Sequence, residues 1–232
     1  MKFSSSSIYA FAALCLSQIS AASSSNLTFG ENYAVLNLDL ISGAVAYVNT
    51  TTSGEKWINN TATWINTVHQ QSPPPLSIFT RIYYANTKRP ELGADTPYAT
   101  AAAVLGNATA TSAISEIYPA FVPLPNWDVV LEKARYYAGA GNSLEEILRA
   151  QKIDTVILSG ISGAGVVLST AYRLFDLDYR VIVISNNTID LPPYGDALTD
   201  VICNELLPTL DIEVITVDEA IAALNRSGPA VY

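Results

Sequence analysis

The sequence predicts a three-layer α/β/α fold with a mainly parallel central sheet. Strand-like apolar runs alternate with helix-period segments through the second half of the chain, the pattern of strands joined by helical crossovers. A run of high apolar content, Tyr33–Asp39, reads as a buried strand near the start of the folded part. Half of the residues (50%) are apolar and only 14% are charged, which predicts a compact chain with a sizeable core.

The elements follow in order. After the Tyr33–Asp39 strand, Trp57, Trp64, Ile65 and Val68 recur at helical spacing, so a helix is predicted over Gly54–Gln71. Pro73-Pro74-Pro75 stops it, and Leu76–Tyr84 has strand character. Residues 86–125 are rich in Ala, Thr and Pro and weakly patterned; they are read as loops with short helices covering one end of the domain, or as a flexible insertion. Asp128–Lys133 is a short strand. Asn142 is expected to cap the next helix, with Glu145 closing a capping box. Then come strand Thr155–Ser159, helix Gly165–Phe175, strand Arg180–Ser185, helix Asp196–Leu207, strand Glu213–Thr216 and helix Asp218–Leu224.

The amino-terminal residues read as a targeting signal, with an N-terminal anchor or a buried strand as the alternative. Lys2 is followed by the apolar stretch Ile8–Leu16, with Ser20 and Ala22 at the small-residue positions of a cleavage site. Residues 1–22 are therefore expected to be removed from a secreted protein, leaving 23–232 as a single domain. Six Asn-x-Ser/Thr sequons, at Asn26, Asn49, Asn59, Asn107, Asn186 and Asn225, fit a glycoprotein of that route. Cys15 leaves with the signal, so Cys203 stands alone and no internal disulfide is expected in the mature chain. The net charge of −9 and the lack of any basic run argue against nucleic acid and anionic membrane as partners. A small-molecule ligand or substrate is expected instead, with oligomerisation left open.

In open parallel sheets ligands sit beyond the carboxyl ends of the strands. Three such ends carry suggestive chemistry: Asp39 after the first strand, Lys133 and Arg135 after the third, and the turn Gly160-Ile161-Ser162-Gly163-Ala164-Gly165 after the fourth. The turn could hold a phosphate, but its glycine spacing is not that of a dinucleotide fold. It could equally present backbone N–H groups to a ligand oxygen, with Ser162, Gly163 and Gly165 as the contributors.

Three segments together resemble the isochorismatase-like cysteine hydrolases, a family that includes nicotinamidases. They are Ala34-Val35-Leu36-Asn37-Leu38-Asp39, then Asp128-Val129-Val130-Leu131-Glu132-Lys133 with Leu144-Glu145-Glu146-Ile147-Leu148 beyond it, and Ile157-Leu158-Ser159-Gly160-Ile161 running on to Thr170-Ala171. The resemblance implies that Asp39 matches the family's proton-accepting aspartate and Lys133 its lysine. The family turn runs Gly-x-x-Thr-x-x-Cys-Val. With Gly160 setting the register, Gly163 stands at the threonine and Val166 at the nucleophilic cysteine, and Val167 matches the next valine. Valine has no lone pair with which to attack, so the resemblance implies a site without thioester chemistry. Ile41 and Gly139 replace a glutamine and an aromatic residue of the pattern, which implies a wider and less polar pocket.

Other residues have plainer readings alongside. Asp39 and Lys133 could be a buried ion pair serving structure alone. Arg81 and Arg135 are candidates for orienting a substrate carboxylate, or solvated arginines. Ser162 and Ser169 lie close to Val166 but have no histidine to activate them, since His69 is the only one. That scarcity also argues against a zinc site, and no cofactor or metal is expected. Cys203 reads as a small buried apolar residue. Three functions stay open: acid-catalysed hydrolysis of a small carboxylate substrate without a covalent intermediate, non-catalytic ligand binding, and a secreted interaction scaffold.

Overall fold

The computed structural model describes residues 26–228. The expected signal, residues 1–22, lies outside them. Six strands form one parallel sheet: β1 Tyr33–Leu38, β2 Leu76–Ile82, β3 Val129–Lys133, β4 Thr155–Ile161, β5 Arg180–Ile189 and β6 Glu213–Ile215. Their order is β3-β2-β1-β4-β5-β6, so β1 and β4 are central and the chain reverses direction across the sheet between them. That reversal opens the crevice in which such folds place ligands.

Helices cover both faces. The longer ones are α2 (Thr52–His69) and α7 (Val217–Ser227) on one side, and α4 (Leu144–Ala150) and α5 (Leu168–Phe175) on the other. Shorter pieces are α1 (Ser42–Val45), α3 (Pro97–Ala101) and α6 (Gly195–Val201). β1 shows why two cores are needed. Alternate side chains of a strand point to opposite faces, so Tyr33 and Val35 join Trp57, Trp64, Ile65, Ala220 and Leu224 in one core. Ala34, Leu36 and Leu38 join Leu144, Leu148, Ala171 and Leu174 in the other. All six β1 residues are buried, the continuous pattern of a strand covered on both faces.

The sheet and helix layers agree with the three-layer prediction, and the differences are local. The Asn142–Glu145 capping box does not form. Asn142 Oδ1 accepts the Leu144 N–H at 3.0 Å while its Nδ2 donates to the carbonyls of Glu132 and Ala138 at 2.7 and 2.8 Å. Glu145 instead accepts from the Tyr137 hydroxyl at 2.7 Å and the Arg173 guanidinium at 2.9 Å, charge-assisted bonds that outcompete a backbone N–H. A complete capping box occurs at α7, between Thr216 and Glu219. The helix expected from Gly165 begins earlier, as a π-type turn over Gly163–Val167 that passes into α5. β5 runs four residues past the expected Ser185, through an irregularity opposite Leu158–Gly160. Residues 86–125 hold only α3 and short 3₁₀ turns, as the loop reading expected.

Candidate functional site

The site forms where β1, β3 and β4 end. Asp39 directly follows β1 with φ +54°, a left-handed backbone that turns the chain out of the sheet. Thr80 of β2 holds it twice: the Asp39 N–H donates to Thr80 Oγ1 at 3.0 Å, and that hydroxyl donates to Asp39 Oδ1 at 2.6 Å. Lys133 reaches Asp39 from beyond β2. Its Nζ donates to Asp39 Oδ2 at 2.6 Å and to the carbonyls of Arg135 and Tyr136 at 2.7 and 3.1 Å. All three ammonium protons are thus engaged. Burial pushes the Lys133 pKa down, and the Asp39 carboxylate opposes that shift only in part.

The third strand end is shaped by a glycine. A Cβ on Gly160 would lie 2.1 Å from the Leu38 carbonyl oxygen, so only glycine lets β4 pass β1 this closely. The chain continues through a cis Ile161–Ser162 peptide into the π-type turn. Val167 N–H donates to the Ser162 carbonyl at 3.2 Å. Asp190, at the end of β5, anchors the turn: its Oδ2 accepts the Ala164 N–H at 2.5 Å and its Oδ1 accepts the Leu191 N–H at 2.8 Å. The sequence reading missed Asp190. Its one signal was a buried-strand run ending in a carboxylate, the same signal that drew attention to Asp39.

Between these ends lies a pocket of about 110 Å³, whose lining includes Asp39, Tyr98, Tyr136, Ser162, Val166 and Leu191. Asp39 and Val166 therefore face one space, and Lys133 stands behind Asp39 outside it. Val166 is itself 1% exposed. The remaining walls are mostly aliphatic, contributed by α1, β2 and the α3 segment. Tyr98 packs edge-on against Tyr136 with ring centroids 5.4 Å apart. Burial raises the pKa of both phenols, so they stay neutral hydrogen-bonding groups.

The other predicted contributors lie elsewhere. Arg81 does not line the pocket. Its Nε donates to the Ser115 carbonyl at 2.6 Å and its Nη2 to the Ala110 carbonyl and Ser115 Oγ at 3.0 Å each. The irregular 86–125 segment has few internal partners for its carbonyls, and the guanidinium supplies them. Arg135 likewise donates to the carbonyls of Ala134 and Glu91 at 2.7 and 2.6 Å, and it stacks 4.7 Å from the Tyr98 ring. It acts on the pocket only by holding that ring. Gly163 and Gly165 shape the turn without lining the pocket; a Cβ on Gly165 would meet Ser162 Oγ at 2.6 Å. Ser169 on α5 lies near the carbonyl of Val166 at 3.3 Å.

Cys203 is buried, and burial pushes its thiol up to about 11. It borders a separate cleft with Trp57, Asn60, Asn186 and Asp200. His69 pairs with Asp128 at 2.8 Å, at the opposite end of β3 from Lys133. Among the described residues no three His, Cys, Asp or Glu side chains are grouped to hold a metal.

An isochorismatase domain model matches residues 33–198. The chain belongs to the isochorismatase family. Solved structures of similar fold include an isochorismatase family protein from Burkholderia thailandensis, with TM-score 0.71 and 24% identity over 86% of this chain and 98% of that one. A cysteine hydrolase from Pseudomonas syringae pv. phaseolicola gives TM-score 0.70 at 17% identity, over 84% and 93% of the two chains. N-carbamoylsarcosine amidase from Thermoplasma acidophilum gives 0.63 at 22%, over 81% and 97%. A search of curated protein sequences found no match. At these identities the structural likenesses establish the isochorismatase-like fold; function rests on the site itself.

Proposed function

We propose that this isochorismatase-family protein is secreted and glycosylated, binds a small molecule in the Asp39–Val166 pocket, and does not hydrolyse amides through a thioester intermediate. The observation that carries the reading is the shared pocket: the residue facing Asp39, with Lys133 behind, is the aliphatic Val166. A side chain without a lone pair forms no acyl intermediate. The alternative nucleophile, Cys203, lies in another cleft with a raised pKa.

The pocket also speaks to the ligand. Its walls are mostly apolar and its one charged lining residue is Asp39. Lys133 has no proton left to donate, and Arg81 and Arg135 are bound to backbone carbonyls. A carboxylate would meet a like charge with no free cation beside it. These features favour an uncharged ligand with an apolar body and one hydrogen-bond donor aimed at Asp39.

Acid-catalysed hydrolysis of a small carboxylate is the second reading. It is favoured by Asp39 lining the pocket, where once protonated it would meet a bound substrate directly. One assay set separates the readings. The purified protein is offered nicotinamide and N-carbamoylsarcosine with ammonia release as readout, and isochorismate with pyruvate release as readout. Ligand binding alone predicts no product from any of them. Ammonia release that thiol alkylation abolishes would overturn the proposal. Pyruvate release that survives alkylation and disappears in Asp39→Asn would establish acid catalysis instead.

A further inference from the structure

The six sequons have a spatial logic that their order in the sequence hides. All six acceptor asparagines are exposed, whereas only four of the nine other asparagines are (Asn66, Asn86, Asn126 and Asn204). Adjacent pairs sharpen the contrast: Asn59 is exposed and Asn60 half-buried, Asn186 is exposed and Asn187 buried.

Five of the six acceptors also share a side of the molecule, all but Asn107. Asn59 is on α2, away from the Trp57, Trp64, Ile65 and Val68 stripe that packs on the sheet. Asn225 is on α7, beside the buried Ala223 and Leu224 but itself exposed. Asn49 lies in the turn leading into α2, its N–H bonded to the Val45 carbonyl at 2.9 Å. Asn26 is adjacent to Leu27, whose carbonyl accepts from the Arg226 guanidinium of α7 at 2.8 Å. Asn186 bridges the two helices: its carbonyl accepts from Asn60 Nδ2 at 3.3 Å and its Oδ1 accepts the Val217 N–H at 2.7 Å. Asn107 lies in the 86–125 segment. On the α4–α5 layer, Asn142 belongs to no sequon.

We infer that the protein carries N-linked glycans on its α2–α7 layer, with Asn49, Asn59 and Asn225 as acceptors, while the α4–α5 layer stays bare. The inference rests on the secretory reading above. A glycan is bulky and hydrated, so it is tolerated only where the asparagine faces solvent. The three acceptors meet that condition without disturbing the helix stripe that packs on the sheet. Thr61, the hydroxyl residue of the Asn59 sequon, is buried once the chain folds. Asn59 is therefore modified before α2 docks. On the opposite face, Tyr172 and Phe175 of α5 are exposed and have no sugar to cover them.

The test expresses the mature chain behind a heterologous leader in a eukaryotic secretory host. Glycopeptides are mapped, and hydroxyl-radical footprints are compared before and after enzymatic removal of N-glycans. The expected result is occupancy of Asn49, Asn59 and Asn225, each abolished in its Asn→Gln variant. Footprinting should intensify on the exposed faces of α2 and α7, with no change at Tyr172 and Phe175. A secreted protein in which any of the three is unmodified would overturn the inference, and so would labelling of Tyr172 and Phe175 that rises on deglycosylation. A parallel expression with the native residues 1–22 separates the two readings. Retention in the cell with that leader alone sinks secretion and leaves the acceptor map to be judged from the heterologous product.

Discussion

Lys133 Nζ and Asp39 Oδ2 meet at 2.6 Å although their strands are not neighbours: β2 runs between β3 and β1 and places Thr80 against the same carboxylate. The pair is buried, with Lys133 3% and Asp39 6% exposed. Removing one partner leaves the other charge uncompensated, which costs far more than replacing both. Lys133→Met is expected to lower unfolding free energy by about 3–5 kcal/mol, and the Lys133→Met/Asp39→Asn double variant should recover much of that. Urea denaturation of the three proteins checks it; equal losses in single and double variants would contradict it.

Val166→Cys should create a reactive thiol. The new side chain would sit in the Gly163–Val167 turn, before α5, where backbone N–H groups favour an anion. Cysteines so placed titrate below the free value of about 8.5. The pH profile of alkylation, read in a Cys203→Ser background, is expected to have its midpoint below that of a free thiol. A midpoint at or above the free value would show that Asp39, facing the same pocket, outweighs the turn.

Cys203 should behave in the opposite way. Burial raises its thiol from 9.0 to about 11, so the folded chain keeps its proton where the unfolded chain has lost it. Its contribution to stability is present below pH 9 and is lost as pH rises toward about 11. Iodoacetamide at pH 8 is expected to label the unfolded chain and spare the folded one. Cys203→Ala should flatten the fall in stability over that pH window. Rapid labelling of the folded protein would refute the assignment.

Gly160→Ala should destabilise the fold by about 1–3 kcal/mol or more, because an added Cβ would lie 2.1 Å from the Leu38 carbonyl oxygen and push β4 off β1. Gly30→Ala serves as a control, since a Cβ there meets nothing within 4 Å, although its φ of +80° still disfavours a side chain. Thermal melts that rank Gly30→Ala as the more damaging of the two would contradict the close-approach argument.

The sequence by itself determined the layers and the order of strands and helices along the chain. Continuous apolar runs such as Tyr33–Leu38 and the helical stripe of Trp57, Trp64, Ile65 and Val68 are local periodicities, and each was decided by residues close along the chain. Asp39 and Lys133 were legible as polar residues closing such runs, whereas Val166 was marked only by the resemblance to the family's turn. Only the tertiary structure decided what the long side chains do. In sequence Arg81 and Arg135 could be carboxylate binders or structural arginines; carbonyls of residues distant in the chain, Ser115 and Glu91, take their donors. Glu145 left its capping role for Arg173, 28 residues away. Asp190 became the anchor of the pocket turn through Ala164, 26 residues away. A flexible charged side chain settles on the nearest unsatisfied partner in space, and which partner is nearest depends on strand order and loop path that no local pattern contains.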